Sequence, residues 1–206
     1  MRAQFNPSSK DSAHRQLRSV RLNEFPVLQT ERLVLREFKE ADIPAVYAIF
    51  SKDAVTEHYN FETMCTIGQA QRLVKARRQA FYKEAGVRWA ITRRGQSNGV
   101  IGSCGCYNLH KTFCSMEIGY DLHPDFWRQG IMSEALEAML TFCFGKRFLI
   151  PLNRVVALTE LENLASIGLL LKLGFQPEGI HREYGFWKGT FRDVRSFSLL
   201  RRDWEQ

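Results

Sequence analysis

The stretch Glu117–Leu136, EIGYDLHPDFWRQGIMSEAL, changes its hydrophobic period half way along. Residues 116–122 read as a strand, and Pro124 then breaks the run. From Ile131 onward, Ile131, Ala135, Ala138, Met139 and Phe142 fall on one helical stripe. Gly130 stands at the joint. A glycine there lets backbone approach a ligand closely, and the helix start presents N–H groups that no carbonyl of the helix can satisfy. Together they can hold a pyrophosphate. The same glycine also fits a plain helix N-cap. The segment lacks the lysine of a nucleotide triphosphate loop and the three glycines of a dinucleotide fold, which excludes both of those readings.

Outward from this joint the chain alternates strand and helix signals. Residues 31–38 read as a first strand with Leu33 and Leu35 on one face. Asp42 precedes a helical spacing of Ile43, Val46, Ile49 and Phe50. Thr66 is placed to cap a second helix that carries Ala70, Leu73, Val74 and Phe81. Residues 87–92 and 100–109 read as a hairpin, and 114–122 as its next antiparallel partner. After the central helix come a strand over 154–159 and a helix opened by Asn163 and closed at Gly174. A terminal hairpin follows over 180–187 and 191–200, turning at Lys188-Gly189. Antiparallel strands interspersed with helices predict an α+β sheet with helices on its faces.

Composition narrows the class. The chain has 206 residues, 45% hydrophobic and 25% charged, which suits one globular domain and not a disordered chain or a coiled coil. No run approaches the roughly 18–20 apolar residues of a membrane span, so no membrane association is expected. No secretory signal is expected either. The five cysteines have no paired spacing, which argues against a disulfide framework and a zinc site; Cys104 and Cys106 are expected on one sheet face as small apolar fillers. A cytoplasmic location follows as an expectation. The formal charge is +7, and residues 1–27 hold five basic against two acidic side chains. That segment reads as a basic N-terminal extension, with the domain proper at 28–206.

The quoted stretch and the later ENLASIGLLLKLGF (162–175) together resemble the GNAT superfamily of acetyl-CoA-dependent N-acetyltransferases, most closely its RimJ/RimL branch of ribosomal-protein-alanine N-acetyltransferases. The segment LQTERLVLREFKEADIPAVYAIF (28–50) and the closing RDVRSFSLLRRDW (192–204) are similar to the same branch. The resemblance implies the GNAT fold: a mixed, mostly antiparallel central sheet with helices on both faces and central strands that splay apart. It also implies acetyl-CoA as co-substrate and no metal.

Site residues follow from the resemblance position by position. The pyrophosphate loop of the family maps onto Trp127, Arg128, Gln129, Gly130, Ile131, Met132 and Ser133. Met132 departs from the glycine or alanine usual at its place, and contacts there are expected through backbone amides. Leu122 is implied to bind the cofactor through its backbone and Asn163 to bond the pantetheine arm, although Asn163 also suits a helix cap. Ser166 is implied as the proton donor to the departing thiolate, where a serine in a first helical turn can also simply bond the backbone. Glu117 is the carboxylate expected to act as base, directly or through water, or else a structural acid bonded within the sheet. A backbone N–H of residues 117–122 is expected to stabilise the oxyanion. His58, Tyr59 and Phe61 fall where the family shapes its acceptor pocket, with no role assigned.

The acceptor is read from ionisation. An α-amine with pKa about 8 is roughly 10% neutral at pH 7, against about 0.04% for a lysine near 10.4. A protein N-terminal amine, such as that of a ribosomal protein, is therefore the expected acceptor, with a polyamine or antibiotic amine as the alternative. A non-catalytic acyl-CoA-binding or nucleic-acid-binding module is a further alternative. No RNA-binding aromatic motif appears, so no direct nucleic-acid site is expected. A homodimer is compatible with the sequence.

Overall fold

The computed structural model describes residues 22, 24–95, 99–146 and 148–205. Most of the basic extension, and the centre of the turn at 96–98, lie outside the described residues. The elements run β1 (Leu28–Gln29), β2 (Leu33–Arg36), α1 (Ile43–Phe50), α2 (Asp53–Thr56), α3 (Ile67–Tyr82), β3 (Gly86–Arg93), β4 (Gly102–His110), β5 (Ser115–Leu122) and α4 (Ile131–Phe144). They continue as β6 (Arg154–Glu160), α5 (Leu164–Lys172), β7 (Gln176–Trp187), β8 (Thr190–Leu200) and α6 (Arg201–Trp204).

One sheet takes all eight strands in the order β1-β2-β3-β4-β5-β6-β8-β7. Every neighbouring pair is antiparallel except β5 with β6, which α4 connects in parallel. Helices cover both faces. On one, Trp89, Cys104, Cys106, Met116, Ile118, Val155 and Ala157 pack against α4 and α5. On the other, Ala90 packs with Val46, Phe50, Ala70 and Val74 of α1 and α3. Cys104 and Cys106 do share a face, are free thiols, and burial pushes the Cys104 thiol up to about 12. Phe25 and Pro26, from the end of the extension, are packed too: the Phe25 ring lies 6.0 Å from Trp89, whose Nε1 donates to the Pro26 carbonyl at 2.7 Å.

Three short elements, β1, α2 and α6, have no counterpart among the expected elements. At two to four residues each they are too short to show a period of their own. β7 also starts four residues earlier than expected, at Gln176. It is an edge strand exposed along nearly its whole length, so no burial alternation marks its beginning.

The feature that positions the site lies between β5 and β6. Their pairing covers only Ser115, Met116 and Glu117 against Arg154, Val155 and Val156. β5 runs on to Leu122 and β6 to Glu160 without pairing each other again. The two central strands therefore open into a wedge, the splay expected from the resemblance.

Candidate active site

Beyond the wedge the chain turns through Pro124–Phe126 into the loop at 127–130 and then α4. Arg128 and Gly130 both take left-handed backbone angles, φ +59° and +72°. The conformation at Gly130 favours glycine, and a Cβ built there would meet only the tip of Arg32, 3.5 Å away. The backbone of the loop is thus uncovered where the first amides of α4 emerge. The Ile131 and Met132 side chains turn into the core, 3% and 8% exposed, so the methionine does not intrude on the loop and its amide is what it offers. Ser133 is also buried, and its Oγ has no hydrogen-bond partner among the described residues. A buried hydroxyl at a helix N-terminus, left unpaired, fits an absent anion.

The loop is braced from two sides. Trp127 Nε1 donates to the Leu122 carbonyl at 2.8 Å, tying the loop to the end of β5. Glu134 accepts from the Thr30 hydroxyl at 2.5 Å and from the backbone and side chain of Arg32 at 3.0 and 2.6 Å. Arg32 Nη1 reaches on to the Gln129 carbonyl at 3.1 Å, and Arg93 stands 3.5 Å from Gln129 Oε1. Arg32 and Arg93 are cationic residues beside the loop that sequence alone did not single out. They come from β2 and its turn and from the end of β3, far from the loop in sequence.

Within the wedge the two faces carry different chemistry. On the α4–α5 face, Tyr120 Oη and Ser166 Oγ lie 2.5 Å apart. Asn163 caps α5 by accepting the Ser166 N–H at 3.0 Å, which fixes the serine backbone and leaves the asparagine Nδ2 unpaired among the described residues. Burial pushes the Tyr120 phenol up to about 12, against the opposing effect of its bond to Ser166. At neutral pH it is therefore a protonated donor. Sequence alone did not single out Tyr120, since a tyrosine in a strand carries no signal of its partner.

Strand alternation sends Glu117, Gly119 and Asp121 to the opposite, α1–α3 face. Glu117 is half-buried at the closed end of the wedge and accepts from Asn108 Nδ2 at 3.0 Å. Tyr107 lies over Gly119, where a Cβ would come within 3.3 Å of its ring, and its hydroxyl donates to the Ile118 carbonyl at 3.4 Å. Asp121, 5% exposed, takes Arg88 at 2.5 Å, Arg77 at 3.2 Å and the Ser103 hydroxyl at 2.5 Å. At the open end Tyr59 Oη donates to the Tyr120 carbonyl at 2.9 Å. Burial pushes that phenol well above its ordinary range, so it also remains a donor. Beside it, His58 Nδ1 is 2.9 Å from Glu160 Oε2.

The expected residues therefore lie on two faces of the sheet and not one. Trp127 to Ser133, with Leu122, make an amide loop at the top of β5. Ser166 and Asn163 sit at the mouth of the wedge on the same face as α4. Glu117 is on the far face, separated from Ser166 by the thickness of the sheet. Among the described residues no cluster of side chains could hold a metal ion, and no helix is long and apolar enough to cross a membrane.

Residues 32–176 match the acetyltransferase (GNAT) domain family. The uncharacterized N-acetyltransferase YoaA of Bacillus subtilis is 36% identical over 177 residues, 86% of this chain and 98% of that protein. The ribosomal protein uS5-alanine N-acetyltransferase of Escherichia coli is 28% identical over 106 residues, 51% of this chain and 53% of that enzyme. Among solved structures, a Salmonella typhimurium acetyltransferase described as modifying the N-terminal serine of ribosomal protein L7/L12 superposes with a TM-score of 0.75. It is 21% identical and covers 85% of this chain and 99% of its own. At that identity the likeness shows the fold alone. With the split strand pair, the uncovered amide loop and a match that spans most of its length, the chain belongs to the GNAT acetyltransferase family and is an acetyl-CoA-dependent N-acetyltransferase.

Proposed function

We propose that the acceptor is the N-terminal amine of a protein and that acetyl passes to it directly, with no covalent enzyme intermediate. The observation that carries this reading is the separation of roles across the wedge. A proton-donating pair, Tyr120 and Ser166, lies on the face of α4 and the amide loop. The carboxylates Glu117 and Glu160 lie on the other. Donor and acceptor can then enter from opposite faces and meet where the strands part.

In this reading the amides of residues 129–133, with Ser133 Oγ and the guanidinium groups of Arg32 and Arg128, hold the pyrophosphate of acetyl-CoA. Asn163 Nδ2 and the backbone of Leu122 hold the pantetheine arm. The Cys114 carbonyl accepts the Arg154 N–H at 3.1 Å, which sets the alternation of β5 so that the peptide groups of even-numbered residues face β6. The Tyr120 carbonyl is taken by Tyr59. Its N–H points the same way and serves the thioester oxygen as negative charge develops there. Ser166 Oγ gives its proton to the departing thiolate, and Tyr120 donates in turn to the serine oxygen. A base on the α1–α3 face takes the amine proton. Glu117, the carboxylate expected from the sequence, stands on that face at the closed end of the wedge.

The Escherichia coli relative named as a ribosomal protein uS5-alanine N-acetyltransferase supports a protein acceptor, as does the larger neutral fraction of an α-amine. The cytoplasm is the compartment this reading implies. The test is acetyl-CoA turnover with peptides beginning in alanine or serine, against spermidine and an aminoglycoside. Saturable acetylation of a peptide is expected. Saturation by spermidine or the aminoglycoside alone would assign the enzyme to small-molecule amines.

A further inference from the structure

The dipeptide His58-Tyr59 bonds both strands of the wedge at its open end. Tyr59 Oη donates to the Tyr120 carbonyl on β5, and His58 Nδ1 meets the Glu160 carboxylate, the last residue of β6. Glu160 is 5% exposed, and its second oxygen accepts from Trp187 Nε1 at 2.9 Å. A carboxylate oxygen only accepts, so the hydrogen of this bond sits on His58 Nδ1. The neutral ring then carries its lone pair on Nε2. That nitrogen has no partner among the described residues and is not among the buried unpaired atoms, and the His58 side chain keeps 24% of its surface exposed.

We propose that His58 Nε2 is the base that takes the proton from the acceptor amine, with Glu160 and Trp187 as positioning residues that fix its tautomer and ring. The assignment rests on the direct-transfer reading above and gives it a base different from Glu117. Glu160 belongs to the α1–α3 face by the alternation of β6, as Glu117 does by that of β5. Glu117 stands at the closed end of the wedge, where the strands still pair. His58, in the turn after α2, stands at the end where they are apart, next to Tyr59, which holds the β5 carbonyl of Tyr120, the residue whose side chain meets Ser166.

The step balances. The neutral amine nitrogen bonds to the thioester carbon as the carbonyl π pair moves to oxygen, and one N–H proton passes to His58 Nε2. As the carbonyl re-forms, the C–S bond breaks and the thiolate takes the Ser166 Oγ proton. The imidazolium, held beside the Glu160 carboxylate, gives its proton to solvent, and the serine oxygen regains one. Products are the amide and the CoA thiol. Among the described residues, Glu160 from β6 bonds His58, Glu57 and Tyr59 flank it in the chain, Lys188 from the β7–β8 turn reaches the backbone before it, and Asp121, Arg88 and Arg77 act on the adjoining Tyr59. The Lys188 ammonium donates to the Thr56 and Glu57 carbonyls at 2.5 and 3.1 Å and holds the backbone that carries the histidine.

The test is kcat/KM for an alanine-initiated peptide against pH in wild type, His58→Gln and Glu117→Gln, with the thermal shift produced by acetyl-CoA measured in each. An acceptor amine supplies one acidic limb and a base supplies a second, so wild type is expected to fall with slope two in acid. His58→Gln is expected to lose about 100-fold or more in rate and to fall with slope one, with its acetyl-CoA shift retained. Glu117→Gln is expected to keep slope two whatever its rate. In His58→Ala, added imidazoles are expected to restore rate in order of their basicity. Slope two and a rate within about three-fold of wild type in His58→Gln would overturn the base while leaving the transfer reading standing. A wild-type enzyme that binds acetyl-CoA and acetylates no amine would overturn the transfer reading, and the base with it.

Discussion

The hydroxyls of Tyr120 and Ser166 stand 2.5 Å apart, one on the splayed half of β5 and the other in the first turn of α5. The phenol, pushed up to about 12 by burial, stays protonated through the neutral range and can donate to the serine, although either hydroxyl can supply the hydrogen of this bond. A serine that receives such a bond gives up its own proton to a thiolate more readily, because the negative charge left on Oγ is stabilised. Ser166→Ala is expected to lower kcat by about 100-fold, within the usual range for a positioned acid, and to leave acetyl-CoA affinity unchanged. Tyr120→Phe is expected to lower kcat by a smaller factor, about 10-fold, because Ser166 keeps its own proton. Steady-state kinetics with calorimetric titration of acetyl-CoA check both.

Ser133 offers a test in which free and bound protein move in opposite directions. Its Oγ is buried and unpaired among the described residues, a state that costs roughly 1–3 kcal/mol when no anion is present. Ser133→Ala removes that cost. The free variant is expected to melt at or above the wild-type temperature, by up to about 1 kcal/mol of added stability. Its acetyl-CoA affinity is expected to fall about 10-fold, as loss of one charge-assisted hydrogen bond to a phosphate predicts. Thermal melts with and without acetyl-CoA read both effects, and a variant with undiminished affinity would remove Oγ from the phosphate site.

How far the site is legible in the sequence follows from how local each part is. The loop at 127–133 is readable because Gly130 immediately precedes α4 and the strand end at Leu122 lies just upstream in the same stretch of sequence. Asn163 and Ser166 are readable because a cap and its first turn are three residues apart. His58 and Glu160 are 102 residues apart, and Arg32 lies 97 residues from the Gln129 carbonyl it bonds. Neither pair leaves a spacing to detect. The sheet order is intermediate: the hairpins are visible, but the insertion of β8 between β6 and β7 is a tertiary choice made by burial. The wedge itself has no local signature, since Ile118–Leu122 reads as an ordinary strand whether or not a neighbour pairs with it.

Glu134 links the amide loop to acid stability. Burial opposes its ionisation, but bonds from Thr30 and from the backbone and side chain of Arg32 outweigh it, and the carboxyl sits below its ordinary value of 4.5. A carboxyl whose folded pKa lies below its unfolded one adds stability that is complete above the unfolded value. That stability is lost as pH falls through the folded value. Wild type is therefore expected to lose stability below about pH 4.5 more steeply than Glu134→Gln, the two curves converging in acid. Urea unfolding at a series of pH values would show it, and parallel curves would count against the linkage.

Among the described residues, Asp121 is the one carboxylate that pairs with the two buried guanidiniums of Arg88 and Arg77. Arg88 and Arg77 reach the same oxygen, Oδ2, at 2.5 and 3.2 Å, and the side chains of all three residues are at most 15% exposed. Ser103 donates to that oxygen as well, while Oδ1 is buried without a partner among the described residues. Asp121→Asn would keep the shape and remove the charge that both arginines are folded against. Removing one member of a buried ion pair costs about 3–5 kcal/mol, because the remaining charge is left uncompensated in a poorly solvated place. The loss is expected here to lie near the upper end, since two cations share the one anion. Because Asp121 sits beside Tyr120 at the mouth of the wedge, the same variant is expected to displace the strand that carries the N–H proposed for the oxyanion and to lower kcat. Denaturant unfolding together with kinetics on the folded fraction separates the two effects, and an Asp121→Asn protein of wild-type stability would show that the cluster is not held by its charge.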